Sequence, residues 1–390
     1  MARFLFVCNT DGALYKFRFP ILKYLIQSGH QVFSITTPFS PEGSYIDLLN
    51  ALGVKTYTVD FAPKDLSLLN NLKLINRVRS IVKNIDPQYV HCFTHKGNII
   101  GGLGTALSGV KNKKIFLTMT GLGASYGNKG IRGKIFRLII GTLYKILDPF
   151  SSAVFFQNSD DREIFKNTFK RARAVITPGS GLDPSSVPAL DTEKIEFIKK
   201  EMLQGIDGSS GKRCIICLMP SRALFQKGIS EFYAAADICT KLREDLVFIH
   251  AGSAVDTPAL GLSEYELLKK NSSRVKYIGY KSDIFHYLAA SDVIVLPSFY
   301  REGVPRSLIE ALFLGKYIIT TKSVGCKDTV IDGWNGQTIS TKSINDLVSA
   351  FMTLDENKIS VKKRSCSLFE KKFHADIVVS LTAKEYFSLK

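Results

Sequence analysis

Short runs of continuous apolar residues recur along this chain. Each is followed by a stretch whose apolar positions fall three and four apart. The first run is RFLFVCN, and the stretch FRFPILKYLIQSG behind it reads as a helix that Gly29 stops. HQVFSITT, VKTYTVDF, YVHCFTH, KIFLTMT and SAVFFQN repeat the theme. Apolar runs of this length bounded by turn residues predict strands buried on both faces, and helices between them predict a mostly parallel sheet covered on both sides. Residues 178–190, PGSGLDPSSVPAL, break the rhythm with turn-forming residues. A polar helix is predicted at about 192–204, then the turn GIDGSSGK, and the alternation restarts with RCIICLM, LVFIHAG, RVKYIG, DVIVLP and YIITT.

The expected class is therefore α/β, with two doubly wound, Rossmann-like units facing each other across a cleft. The first spans 1–185 and a linker 186–211; the second spans 212–370, and a helical stretch over 371–390 is expected to pack back on the first. Ligands of open α/β sheets sit beyond the carboxyl ends of the strands, so the chemistry is expected in loops that follow strands.

Composition changes the picture in three ways. The 390 residues suffice for two domains. The formal charge of +17 favours an anionic partner: nucleic acid, an anionic bilayer or a phosphorylated substrate. Seven cysteines, at 8, 92, 214, 217, 239, 326 and 366, form no framework and point to reduced thiols in the cytoplasm. Cys214 and Cys217 fall in one predicted strand, three apart, so they face opposite sides and do not share a metal. No secretory signal is recognisable, and no run of about 18 apolar residues is present to span a bilayer.

The richest string is DVIVLPSFYREGVPRSLIEALFLGKYIITT. A buried strand ends at Pro297, a loop carries Glu302 and Gly303, and a helix opens near Pro305 and carries Glu310. Gly303 lets the backbone approach a ligand closely. A helix start favours phosphate or sugar hydroxyls, and a carboxylate accepts from vicinal hydroxyls. The competing reading is that both glutamates merely cap or salt-bridge locally. A second string, LMPSRALFQKGISEFYAAA, places Arg222 and Lys227 in the loop after another strand, just before Gly228. Two such cations can neutralise a diphosphate leaving group, although an isolated basic loop would usually be only solvated.

EGVPRSLIEA and SRALFQKG resemble the paired-glutamate and phosphate-binding motifs of glycosyltransferase family 4, a retaining family with the two-domain GT-B fold. The resemblance implies a metal-independent enzyme without cofactor that uses a UDP-sugar. It implies that Arg222 and Lys227 hold the donor diphosphate and that Glu302, with Gly303, Val304 and Pro305, holds sugar and phosphate. Glu310 would bind the ribose, and the loop with Gly279 and Tyr280 would seat the base. DGALYKFRFPILKYL, THKGNIIGGL and LTMTGLGASYG resemble the branch that extends undecaprenyl-diphosphate-linked sugars in O-antigen, capsule and related glycans. That branch implies a polyprenyl-diphosphate-linked acceptor. Gly12, among the donor-binding residues, and Arg18 would lie near a phosphate, with His95, Thr120 and Gly121 lining the acceptor side. Many members carry a His in the loop after the fifth strand; here that loop reads Thr118-Met119-Thr120-Gly121.

Residues 127–144, GNKGIRGKIFRLIIGTLY, hold Lys129, Arg132, Lys134 and Arg137 and no acid, beside Ile131, Ile135, Phe136, Leu138 and Ile139. This is a basic amphipathic stretch suited to an anionic membrane surface, and it predicts a peripheral enzyme on the inner face of the cell membrane. No reader motif or aromatic platform supports nucleic acid as the partner. The alternatives are a family relative acting on a soluble or lipopolysaccharide-core acceptor, or a non-catalytic sugar-nucleotide-binding module.

Overall fold

The computed structural model describes residues 1–38, 43–61, 67–123, 126, 130–206 and 213–388, less the side chain of Arg132. The chain forms two compact units, Met1–Gly181 with Ala375–Lys390, and Leu182–His374.

The first unit holds seven parallel strands: β1 Arg3–Val7, β2 Gln31–Thr36, β3 Val54–Thr58, β4 Tyr89–Phe93, β5 Lys114–Met119, β6 Ser151–Phe156 and β7 Arg173–Ile176. Their order is β3-β2-β1-β4-β5-β6-β7. Alternate residues of β1 feed opposite cores, because successive strand side chains point to opposite faces. Leu5 and Val7 pack with the helices Leu68–Ile85, Thr94–Ala106 and Ile131–Leu147, while Phe4 and Phe6 pack with Asp11–Gln27 and Tyr386. The helix Thr94–Ala106 lies between its two neighbours because it is glycine-rich. A β-carbon at Gly104 would stand 2.8 Å from Val78, and one at Gly102 would stand 2.9 Å from Leu147.

The first helix starts earlier than the sequence suggests. Asp11-Gly12-Ala13 looks like a loop, yet Thr10 caps the helix by accepting from the Ala13 N–H, and the helix runs through Pro20 to Gln27. The carboxylate of Asp11 is occupied: it accepts from Gly12 N–H, Ser44 Oγ and Tyr45 N–H, and so tethers the segment after β2. In the helix Ala375–Ser388, fully buried Tyr386 hydrogen-bonds with Nδ1 of buried His91, whose Nε2 pairs with Thr118 Oγ1.

The second unit holds six parallel strands: β8 Ile215–Pro220, β9 Leu246–Ala251, β10 Val275–Tyr277, β11 Val293–Leu296, β12 Tyr317–Thr321 and β13 Gly336–Ile339. Their order is β10-β9-β8-β11-β12-β13. Cys217 joins the core on one face and Cys214 packs against the core of the other, as the strand period requires.

The polar helix expected at about 192–204 forms as Thr192–Leu203, but the segment expected as a linker over 186–211 belongs to the second unit. Asp191 caps this helix, Ile198 and Met202 are buried against the second core, and His286 Nε2 accepts from the Asp191 N–H at 3.1 Å. Two inward apolar residues are enough to make a polar-looking segment part of the unit. Residues 207–211 lie outside the described residues.

Tyr386→Phe would leave the buried His91 Nδ1 without its partner. It should lower the stability of the first unit by about 1–3 kcal/mol, read as faster hydrogen exchange of β1 and β4 with β8 and β11 unchanged.

Candidate functional site

In the second sheet, β8 and β11 are neighbours, with Cys217 opposite Val293 and Leu218 opposite Ile294. The chain leaves β8 towards β9 and leaves β11 towards β12, so the loops at their carboxyl ends diverge and open a crevice. The two predicted donor loops leave these two strands. The Gln226 carbonyl accepts from the N–H groups of Phe299 at 3.0 Å and Tyr300 at 3.1 Å, and from Ser298 Oγ at 3.1 Å. Fully buried Ser298 is held in turn through its carbonyl by Thr321 and Ser323 at the end of β12. Gly228, at φ +81°, closes the first loop: a β-carbon there would stand 2.2 Å from the Pro297 carbonyl oxygen.

This scaffold brings Lys227 and Glu302 together. Lys227 Nζ forms an ion pair with Glu302 Oε1, Ser298 Oγ lies 3.3 Å from the same oxygen, and the Tyr300 ring sits 5.7 Å from the ammonium. The side chains are only 19% and 13% exposed, so each charge compensates the other where water is scarce. Glu310 is on the helix Arg306–Phe313 and accepts from Arg306 Nε at 3.0 Å. Gly303, Val304 and Pro305 are buried beneath the loop, with Pro305 as the residue that precedes the helix. Arg222 is exposed. The preceding carbonyl, of Ser221, accepts from Nε2 of His250 at 2.9 Å, whose Nδ1 meets Tyr233 Oη at 3.1 Å. Burial pushes His250 down to about 4, so it stays neutral. Gly279 bonds back to the Gly252 N–H, and exposed Tyr280 follows β10, two strands away from β8.

Sequence reasoning missed four of these residues. Arg306 carried a signal, its four-residue spacing to Glu310. Ser298, Gln226 and His250 act through backbone groups on other strands and carried none.

The first sheet repeats the switch between β1 and β4. Gly12 sits in the first turn after β1, His95 in the first turn after β4, and Thr120 and Gly121 follow β5, the next strand over. His95 Nδ1 pairs with Tyr144 Oη at 2.8 Å, and its ring stacks near Tyr126. Asn98 donates to the same Tyr144 oxygen at 3.3 Å, and the tautomer of His95 sets which of imidazole and phenol donates to the other. Nε2 of His95 is buried and has no hydrogen-bond partner among the described residues. Burial pushes His95 to about 4. Arg18 is almost fully buried, its guanidinium 4.4 Å from the Phe93 ring centre, inside a helix rather than in an open loop.

Of the basic stretch, Lys129 and the Arg132 side chain lie outside the described residues; Lys134 is exposed and Arg137 half-buried. Ile131, Ile135, Leu138 and Ile139 are exposed, but Phe136 turns inward against the core, one helical step off the expected face.

Residues 208–366 match the family described as "Glycosyl transferases group 1", and residues 3–177 match "Glycosyl transferase 4-like". The chain is 29% identical over 356 residues (90% of this chain, 89% of the relative) to the Campylobacter jejuni N,N'-diacetylbacillosaminyl-diphospho-undecaprenol alpha-1,3-N-acetylgalactosaminyltransferase. It is 23% identical over 346 residues (86% and 84%) to an Escherichia coli UDP-Gal:alpha-D-GlcNAc-diphosphoundecaprenol alpha-1,3-galactosyltransferase. Among solved structures, Anabaena Alr3699/HepE in complex with UDP-glucose superimposes with a TM-score of 0.78 at 17% identity, covering 100% of both chains. Sucrose-phosphate synthase from Thermosynechococcus elongatus gives 0.77 at 16% identity, covering 100% of this chain and 99% of that one.

Two histidines near the strand ends, His95 and His250, are held neutral down to about pH 4. Below about 6.5 the unfolded chain takes up protons that the folded chain refuses. Stability should therefore fall as pH drops from about 6.5 towards 4, and His95→Gln should flatten part of that slope. Proton–nitrogen spectra should show His95 neutral and not titrating near pH 6.5.

Proposed function

We propose that this chain, which belongs to the glycosyltransferases of family 4 and has their GT-B fold, moves a hexose or N-acetylhexosamine from a UDP-sugar to a polyprenyl-diphosphate-linked saccharide with retention at the anomeric carbon. The observation that carries the reading is the Lys227–Glu302 pair at the β8/β11 switch, with exposed Arg222 on the same β8 loop as Lys227. A diphosphate arriving there meets two cations, and as it takes over Lys227 it frees the Glu302 carboxylate for the hydroxyls of the sugar. Glu310, oriented by Arg306, is placed to accept from ribose hydroxyls. UDP in the HepE complexes supports the donor class. The names of the Campylobacter and Escherichia relatives support the acceptor class.

In this reaction the bond from the anomeric carbon to the phosphate oxygen breaks, and its electron pair leaves with UDP. The acceptor hydroxyl attacks from the face that UDP leaves, and its proton passes to the departing phosphate oxygen. Arg222 and Lys227 stabilise that growing charge in place of a metal ion.

The enzyme works peripherally at the cytoplasmic face of an anionic membrane, seated by the helix Ile131–Leu147. Exposed Ile131, Ile135, Leu138 and Ile139 beside Lys134 support this placement. Among the described residues no helix is long and apolar enough to cross a membrane.

A panel of UDP-sugars incubated with a synthetic polyprenyl-diphosphate sugar and read by mass spectrometry should give one extended product. Lys227→Ala and Glu302→Ala should each reduce its formation by about a hundredfold or more in protein that circular dichroism shows to be folded, with a lowered melt because the partner charge is left uncompensated. Near-normal turnover in either variant would refute the assignment.

A further inference from the structure

From Leu66 to Leu147 the sequence holds thirteen Lys and Arg and one acidic residue, Asp86. Asp86 is itself ion-paired with Arg3. Most of the chain's excess of positive charge therefore lies in one segment, whose three long helices cover a single face of the first sheet. The helices Leu68–Ile85, Thr94–Ala106 and Ile131–Leu147 lie side by side in that order, with Gly104 against Val78 and Gly102 against Leu147. Each of them follows a parallel strand and leads back to the next, so all three start at the carboxyl edge of the sheet.

Two apolar clusters are exposed at that edge. One is the start of Ile131–Leu147, with Ile131 77% and Ile135 53% exposed. The other was not anticipated: Leu68 is 73%, Leu69 71% and Leu72 48% exposed, in the first turns of Leu68–Ile85. Exposed Lys73, Arg77, Arg79 and Lys83 follow on the same helix, which contains no acid. Three neighbouring exposed leucines followed along the helix by four exposed cations resemble the apolar-plus-basic pattern that anionic lipid headgroups attract.

We propose that Leu68, Leu69 and Leu72 form a second bilayer contact, so that the first unit sits on an anionic membrane through two apolar clusters flanking the start of Thr94–Ala106. The proposal rests on the membrane placement given above. One amphipathic helix alone leaves the unit free to roll about that helix; a second contact removes the rotation. It directs towards the headgroups the helix start that carries His95, where a lipid-linked diphosphate presents its phosphates.

The test is flotation of the full chain with vesicles of phosphatidylethanolamine and phosphatidylglycerol, with phosphatidylcholine vesicles as the comparison. Wild type should float with the anionic vesicles and be released by salt. The triple variant Leu68→Ser/Leu69→Ser/Leu72→Ser, all at exposed positions, should bind about tenfold more weakly or worse, as should Ile135→Ser/Leu138→Ser. Leu69→Trp should be quenched by brominated lipid, over the constant signal of Trp334, the single tryptophan. Leu107→Trp, an exposed position at the opposite end of Thr94–Ala106, should not be quenched. If the leucine variant floats like wild type while the isoleucine variant does not, the second contact is overturned and the membrane placement stands. If wild type ignores anionic vesicles, or binds duplex RNA instead, both fall.

Discussion

Because β8 and β11 are hydrogen-bonded neighbours while the chain between them detours through β9 and β10, two loops 75 residues apart in sequence meet at one strand edge. Everything attributed to the donor site follows from that constraint. The Gln226 carbonyl ties the β8 loop to the β11 loop through three donors, and Gly228 removes the β-carbon that would hold them apart. Only then can Lys227 reach Glu302. The pair is thus a consequence of sheet order, and within it each charge balances the other.

Charge is distributed unevenly between the two units. In the second, the site's lysine and both its glutamates are held in ion pairs with their neighbours. In the first, a long segment is almost free of acids and shows its cations to solvent. A compensated site discriminates by geometry, since a ligand gains only what exceeds the pair it replaces. An uncompensated face attracts any anionic surface and loses that attraction to salt.

Much of this was legible in the amino-acid order. Strands such as β8 and β11 are buried on both faces, so they stand out as unbroken apolar runs. Glu302, Gly303, Arg222 and Lys227 could be placed on strand-end loops, and Glu310 on the helix that follows one of them, because their motifs directly follow such runs. What could not be read was pairing across the sheet. The Lys227–Glu302 contact and the Ser298 and His250 supports depend on which strands are neighbours, and local sequence does not encode that. Helix faces were legible only to within one position: Phe136 read as surface but turns to the core. Asp11 and Gly12 resembled a loop because the groups that occupy the Asp11 carboxylate, Ser44 and Tyr45, lie more than thirty residues away. Arg18 read as facing a phosphate, since sequence does not show that an aromatic ring, Phe93, lies beside it inside the fold.

The central claim is that Lys227 binds the donor diphosphate and that Glu302 competes for Lys227 until the donor arrives. Calorimetric titration of UDP into wild type, Lys227→Met and Glu302→Gln tests it most directly. The account predicts that Lys227→Met weakens UDP by about tenfold or more, while Glu302→Gln binds UDP as tightly as wild type or tighter. Unchanged affinity in Lys227→Met, or loss of UDP binding in Glu302→Gln, would contradict it.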